Sequence, residues 1–454
     1  MAGTTVFTGF IFNFLVLALL QQSHSSFTRR PYTHKSIFIF FRYNFSLVNR
    51  QACIQNLFAT MMTIQKPRIT SIDFLRGTIM IIMALDHVRD YLFSASFYFD
   101  PLDLKQTSAP IFLTRWITHF CAPIFMLLAG TSAHIMGRKK TKKELSVFLV
   151  KRGLWLIFLE MVIVNFGWNF NIAFPMFLFI TIWTLGVCMI FLAAVIHLPK
   201  KLILALCILL IAGHNLLDGV HVPGNTLPAF GWSLLHEQQF FTWHKEIFLV
   251  GYPLVPWLGV MPLGYLLGDW FAPGYDAEKR KKYLLITGIS ALVFFVILRY
   301  SNVYGDPLKW AIQKNSGFTF LSFIGVTKYP PSLLYLLLTL GSALIFLAVT
   351  EKVQGRIVKV VSVYGRVPMF YYLIHIYVIH LIAMIASAFT PGQDWRIWIL
   401  QDPIWFTSGL KGYGFSLPVA YITWIAVVIG LYPLCKRYDI YKQTHKEKWW
   451  LSYL

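Results

Sequence analysis

The chain has 454 residues, of which 57% are hydrophobic and only 13% charged, with a formal net charge of +21. Soluble domains carry about a quarter charged residues, so this balance excludes an ordinary water-soluble fold. The positive charge admits either nucleic-acid binding or the Lys/Arg-rich cytoplasmic loops of a membrane protein, and the positions of the charges decide between them.

No Asp or Glu precedes Asp73. An apolar run from Val6 to Leu20 is followed by Arg29, Arg30, Lys35, Arg42 and Arg50. This reads as a signal anchor or transit-type presequence. The other reading is that translation starts at Met61 or Met62. The chain is therefore divided into a basic, acid-free extension, 1–61, and a membrane domain, 62–454.

Beyond Met62 the apolar residues fall in long blocks. Crossing a bilayer takes about 20 apolar residues of helix. Backbone groups in lipid must be bonded internally, and the alternation of a barrel is absent. The predicted spans are 70–93, 112–136, 146–166, 174–197, 201–217, 247–270, 283–299, 331–350, 367–389 and 416–435. The expected fold is an all-α integral membrane protein with about ten transmembrane helices in one bundle.

The dense basic clusters lie between alternate spans: Arg138 to Lys143, Lys200-Lys201, Lys279 to Lys282, Lys352 to Arg366, and Lys436-Arg437. With ten spans all of these fall on one side, which the bias of basic loops makes cytoplasmic. Both ends of the ten-span unit are then inside. The bilayer explains the net charge, and no nucleic-acid partner is expected. The opposite side has long loops near 216–246, 300–330 and 390–415, of a length that is often functional. They hold His221, His236, Glu237, His244, Asp306, Asp394, Trp395 and Asp402. Cys53, Cys121, Cys188, Cys207 and Cys435 are scattered, so neither a disulfide framework nor a metal site is expected.

Charge within a span is expensive and marks function. The first span is the richest, with Asp73, Arg76, Asp86, His87, Arg89 and Asp90. Arg76 and His87 are eleven positions apart; at about 100° per residue both point the same way, about 16 Å apart along the axis. Asp73, Met80, Met83 and Asp90 lie near the same stripe. Arg76 then sits near the cytoplasmic mouth and His87 deep in the outer half. Arginine binds phosphate through its planar fork, and a neutral histidine is a general base. Asp86 or Asp90 would hold its tautomer. A purely structural alternative has Arg76 snorkelling to the inner headgroups and His87 bonded within the helices. Arg115, His119, Glu160, Asn165, His214, Asn215, His375 and His380 fall at similar depth. A buried acid at Glu160 needs a partner, and His119 or Arg115 is nearest by depth. Together these residues predict a buried polar chamber.

Arg76, ten residues, then His87 resembles the R-x10-H motif of the acyltransferase-3 family. Phe120-Cys121-Ala122-Pro123-Ile124-Phe125-Met126-Leu127-Leu128-Ala129-Gly130 is similar to the second helix of that family. Ile72-Asp73-Phe74-Leu75-Arg76-Gly77 resembles the start of the heparan-α-glucosaminide N-acetyltransferase catalytic domain. Its bacterial relatives share Leu85-Asp86-His87-Val88-Arg89-Asp90-Tyr91 and Arg115-Trp116-Ile117-Thr118-His119-Phe120-Cys121-Ala122-Pro123. The resemblance covers roughly residues 68–440. It implies an acyltransferase of the bacterial inner membrane. Acetyl-CoA or another acyl-CoA enters from the cytoplasm, and a carbohydrate-type acceptor binds on the other face. His87 inherits the role of base and Arg76 that of donor contact; Asp86, His119 and Glu160 complete the candidate catalytic set. The heparan enzymes carry Asn at the position of His87 and their catalytic histidine in the following loop, whereas this chain has no His from 88 to 118. His87 therefore follows the acyltransferase-3 pattern. Two other classes remain open on the residues alone: a polytopic transporter of a small polar or sugar-like solute, and a haem protein with axial histidine pairs from His87, His119, His375 and His380.

Overall fold

A computed structural model describes residues 69–452. The extension expected over 1–61 lies outside the described residues. In chain order the helices are α1 (Thr70–Leu92), α2 (Ala109–Ile117), α3 (Cys121–Gly137), α4 (Lys142–Phe158), α5 (Asn165–Asn169), α6 (Thr181–Val195), α7 (Lys200–Gly213) and α8 (Leu227–Leu235). They continue with α9 (Val255–Leu267), α10 (Ala277–Ser301), α11 (Ser316–Ile324), α12 (Leu333–Thr350), α13 (Arg356–Arg366), α14 (Pro368–Ala388) and α15 (Leu417–Thr444). A 3-10 turn over Thr118–Phe120 joins α2 to α3, and a π-helical stretch over Leu159–Val164 joins α4 to α5. The start of α4 shows how local chemistry sets an end. Thr141 accepts from the Glu144 amide while Glu144 accepts from the Thr141 amide, a reciprocal cap that satisfies two orphan donors.

Among the described residues six helical segments are long and apolar enough to cross a membrane: Ala109–Gly137, Lys200–Leu217, Ala277–Ser301, Leu333–Thr350, Pro368–Ala388 and Leu417–Thr444. α1 has the length but carries Asp73, Arg76, Asp86, Arg89 and Asp90. α6 is apolar but shorter.

Each predicted span contains a helix, yet two begin as strands. Residues expected at the start of the 174–197 and 247–270 spans form β1 (Met176–Phe179) and, with β2 (Gln239–Trp243), β3 (Glu246–Val250). β3 lies between the other two, parallel to β1 and antiparallel to β2. The backbone ahead of β1 is broken by left-handed residues, Phe170 at φ 46° and Phe174 at φ 48°, and it is the pairing of β3 with β1 and β2 that satisfies its backbone groups as a strand. The all-α expectation therefore missed a three-stranded sheet.

The helices cross at glycines. A methyl group on Gly130 of α3 would lie 1.9 Å from the Met261 carbonyl oxygen of α9, and one on Gly264 of α9 would lie 2.0 Å from that of Leu127. Gly77 of α1 and Gly365 of α13 oppose each other in the same way. Where hydrophobic attraction between helices is weak, as in lipid, small residues admit the close backbone approach that packing needs.

One end of the helices gathers the basic loops. Lys200 binds Asp269 at 2.6 Å, and the His134 ring reaches the same carboxylate at 3.3 Å. Arg280 pairs with Glu351, Lys352 with Glu278 at 2.5 Å, and Arg366 with Asp439 at 2.7 Å. α1 starts at this end, where Asp73 packs on Gly365. It finishes at the other, where the Phe415 amide donates to the Leu92 carbonyl.

Candidate functional site

The last two turns of α1 border a cavity of about 560 Å³. Its polar lining is Asp86, His87, Arg89 and Asp90 of α1, Arg115 of α2, and Lys328 and Tyr329 from the loop before α12. Its aromatic lining includes Trp168, Tyr252, Tyr372, Trp405 and Phe406. The 96–101 segment, Phe240 of β2 and Thr181 also line it.

Four charges beside the cavity neutralise one another. Arg115 Nη1 donates to both Asp86 oxygens, at 3.1 and 2.9 Å. Arg89 Nη2 lies 3.0 Å from Asp86 and 2.6 Å from Asp90. The i, i+3 spacing on one helix face brings Asp86 to Arg89. Two carboxylates and two guanidiniums thus balance, the condition under which buried ions persist. Arg89 is 4% exposed, and its Nε and Nη1 have no hydrogen-bond partner among the described residues. Arg115 Nη2 reaches the Tyr329 hydroxyl at 3.5 Å. Burial raises the Tyr329 phenol, but Lys328 and Arg115 beside it more than offset that and hold it below the usual phenol range. The Lys328 ammonium lies 5.2 Å from the Tyr329 ring centroid.

His87 is partly exposed where it borders the cavity. Its ring stacks on that of His375 of α14 with centroids 4.9 Å apart, and Nδ1 meets His375 Nε2 at 3.1 Å. Trp168 covers another side, with centroids 5.0 Å apart. His375 is fully buried, and its Nδ1 is 3.0 Å from the Tyr371 carbonyl oxygen. A carboxylate from Asp86 or Asp90 was the expected partner of the His87 ring. Asp86 is instead taken up by Arg115 and Arg89. Asp90 is engaged by Arg89.

The other candidates disperse. His119, in the joint between α2 and α3, is completely buried outside the cavity lining. Neither of its ring nitrogens has a hydrogen-bond partner among the described residues, and the ring edge faces Tyr335 at 5.5 Å. Glu160 lies in the π-helical stretch; its Oε2 accepts from the Ile182 and Trp183 amides at 2.7 and 3.0 Å. Its partners are therefore backbone donors and not His119 or Arg115. The first amides of a helix are orphan donors that attract a carboxylate, and Glu160 caps α6. Thr181, at the start of that helix, lines the cavity. Arg76 is remote from the cavity lining. Its Nη1 donates to the Gly365 carbonyl at 2.9 Å and to Asp73 at 3.3 Å, and its Nη2 donates to Ser132 at 2.9 Å. It ties α1 to α13 and α3.

Lys328, Tyr329, Tyr252, Trp168 and Trp405 were not singled out from the sequence. The one local signal was Lys328-Tyr329-Pro330-Pro331, a cation and aromatic beside a proline pair at the end of a long loop. His380 does not join the site: its ring nitrogens sit 3.0 and 2.8 Å from the carbonyls of Gly167 and Trp398. Among the described residues no group of three or more His, Cys, Asp or Glu has an arrangement able to hold a metal ion.

The arrangement offers a histidine beside a polar, aromatic-walled space, backed by a neutral quartet of charges. Comparison with curated proteins returned no match. The family described as heparan-alpha-glucosaminide N-acetyltransferase, catalytic, matches residues 68–300, more than half of the chain. The protein belongs to this family.

Proposed function

We propose that this family member is a transmembrane acyltransferase that moves an acetyl or other acyl group from cytoplasmic acyl-CoA to a hydroxyl or amine of a carbohydrate-type acceptor held in the cavity. The observation that carries the reading is His87: partly exposed at the cavity, with no hydrogen bond from its Nε2 to any described residue. The aromatic lining supports a sugar acceptor, because apolar sugar faces pack on rings while hydroxyls seek the polar groups between them. The reading keeps about ten spans. The basic loops and both ends of the unit face the cytoplasm, and the cavity faces the opposite side of a bacterial inner membrane.

In this mechanism the acceptor O–H or N–H lies against His87 Nε2. As the acceptor lone pair attacks the thioester carbonyl, its proton passes to Nε2. The C–S bond then breaks, and the thiolate of CoA takes that proton and leaves as the thiol. Asp86 holds Arg115 and Arg89 beside the cavity, where the cations offset charge developing on the carbonyl oxygen. Glu160 fixes the start of α6 at the cavity wall. His119 is assigned to the donor side of the same barrier. Arg76, near the basic end of α1, is assigned to positioning the donor.

The test is transfer from radiolabelled acetyl-CoA to a panel of amino sugars and neutral glycans by the purified protein. His87→Ala is expected to lower kcat about 10²- to 10⁴-fold with unchanged insertion and melting temperature. Full activity in that variant would overturn the assignment of the base. Mass spectrometry of cell-envelope glycans with and without the gene identifies the acceptor by its lost acyl group.

A further inference from the structure

Resting on that reading, we propose that His375 is a positioning residue: it sets the tautomer of His87, so that Nε2 and not Nδ1 is the basic nitrogen presented to the cavity. The argument runs outward from a carbonyl. The Tyr371 carbonyl oxygen, 3.0 Å from His375 Nδ1, can only accept, so His375 Nδ1 carries the hydrogen. A neutral imidazole carries one N–H and one lone pair, so His375 Nε2 is an acceptor. It lies 3.1 Å from His87 Nδ1, and that contact is a hydrogen bond only if His87 Nδ1 donates. The His87 lone pair is then left on Nε2. A backbone oxygen one helical turn away thus determines, through two rings, which nitrogen of His87 is a base.

The packing makes this chain of bonds rigid. His375 is fully buried, and the Tyr371 and His375 rings stack with centroids 5.2 Å apart and an interplanar angle of 6°. Trp168 and Tyr372 border His87 on further sides. The second histidine performs the task that a carboxylate performs in many histidine sites, but as a neutral acceptor. When Nε2 takes the acceptor's proton, the imidazolium keeps a hydrogen bond to a lone pair, and no additional buried charge is required.

The experiment uses purified full-length protein labelled with 15N-histidine, read by NMR, alongside steady-state kinetics with acetyl-CoA. The His87 signals are those lost in His87→Ala. They are expected to show hydrogen on Nδ1 and a bare Nε2. His375→Leu is expected to destroy that tautomer preference, to lower kcat by about tenfold or more, and to leave KM for acetyl-CoA within about twofold. His375→Gln returns an oxygen acceptor near the Nε2 position and is expected to restore the tautomer and most of kcat. Hydrogen found on His87 Nε2, or an unaltered His87 tautomer in His375→Leu, overturns the proposal. A His375→Leu variant as active as wild type, beside an inactive His87→Ala, overturns it while the acyltransferase reading stands. Absence of transfer by the wild type, with the tautomer coupling present, removes the acyltransferase reading and supports the coupling.

Discussion

The two ends of α1 set the same kinds of residue in opposite surroundings. At the basic end, Asp73 and Arg76 meet the backbone of α13 and the Ser132 hydroxyl of α3. Gly77 and Gly365 bring the two backbones so close that a methyl group on Gly365 would lie 1.9 Å from the Asp73 carbonyl oxygen. At the other end Asp86, Arg89 and Asp90 also pair, but they do so beside a cavity of about 560 Å³, and His87 borders it. Ionisable residues in one membrane helix therefore divide by what lies opposite them. Facing packed backbone they tie helices together; facing a void they are available for chemistry.

The sharpest way to break this comparison is at the packed end. Gly365→Leu and Gly77→Leu place atoms inside the opposing backbone, and both are expected to abolish the folded protein, well beyond the about 1–3 kcal/mol of ordinary overpacking. Gly430→Leu, where a Cβ meets nothing within 4 Å, is the control. Size-exclusion profiles in detergent check this; a monodisperse Gly365→Leu protein would deny that the contact is tight.

Next comes the charged quartet. Arg115→Met leaves Asp86 with one cation in place of two, and removing one partner of a buried pair costs about 3–5 kcal/mol. Asp86→Leu combined with Arg115→Met is expected to recover part of the loss in melting temperature. An equal or greater loss in the double variant would mean that the pair is not the unit of stability.

The third prediction sets the two ends against each other. Arg76→Ala removes the hydrogen bonds to Asp73, Gly365 and Ser132 and is expected to cost about 1–3 kcal/mol of stability. If the guanidinium also serves the donor, KM for acetyl-CoA rises in Arg76→Lys at a melting temperature near that of wild type. His87→Ala is expected to move melting temperature little and activity greatly. Equal effects on stability and activity at both positions would erase the distinction.

The smallest effect lies outside the spans. Burial raises the Asp218 carboxyl, but hydrogen bonds from His236 and Asn215 more than offset this and hold it below the ordinary carboxylate range. A depressed folded-state value adds stability above the unfolded pKa of about 4, and this is lost as pH falls through the folded value. Asp218→Asn is expected to flatten that acid limb slightly in melting curves between about pH 5 and pH 3.

The helices were legible because apolar blocks of span length have few alternatives in lipid. The strands were not. Phe177-Leu178-Phe179 and Ile247-Phe248-Leu249 are as apolar as a helix, and only the pairing of β1 with β3 distinguishes them. Asp86 and His87 were legible as candidates because charge in a span is rare. Their partners were not, since depth along the chain places Glu160, His119 and Arg115 at one level without saying which face each presents. Glu160 turned to the amides of α6 and Arg115 to Asp86.

By itself the sequence determined that this is a membrane-embedded helical protein, where its charges concentrate, and which family motifs it carries. Hydropathy and local spacing encode these directly. Tertiary structure alone decided that Arg76 ties helices together while His87 meets a cavity, that Lys328 and Trp168 join it there, and that His375 stands behind His87. Those facts depend on contacts such as Arg76 with Gly365, 289 residues apart, and His87 with His375, 288 apart, which no local period in the chain records.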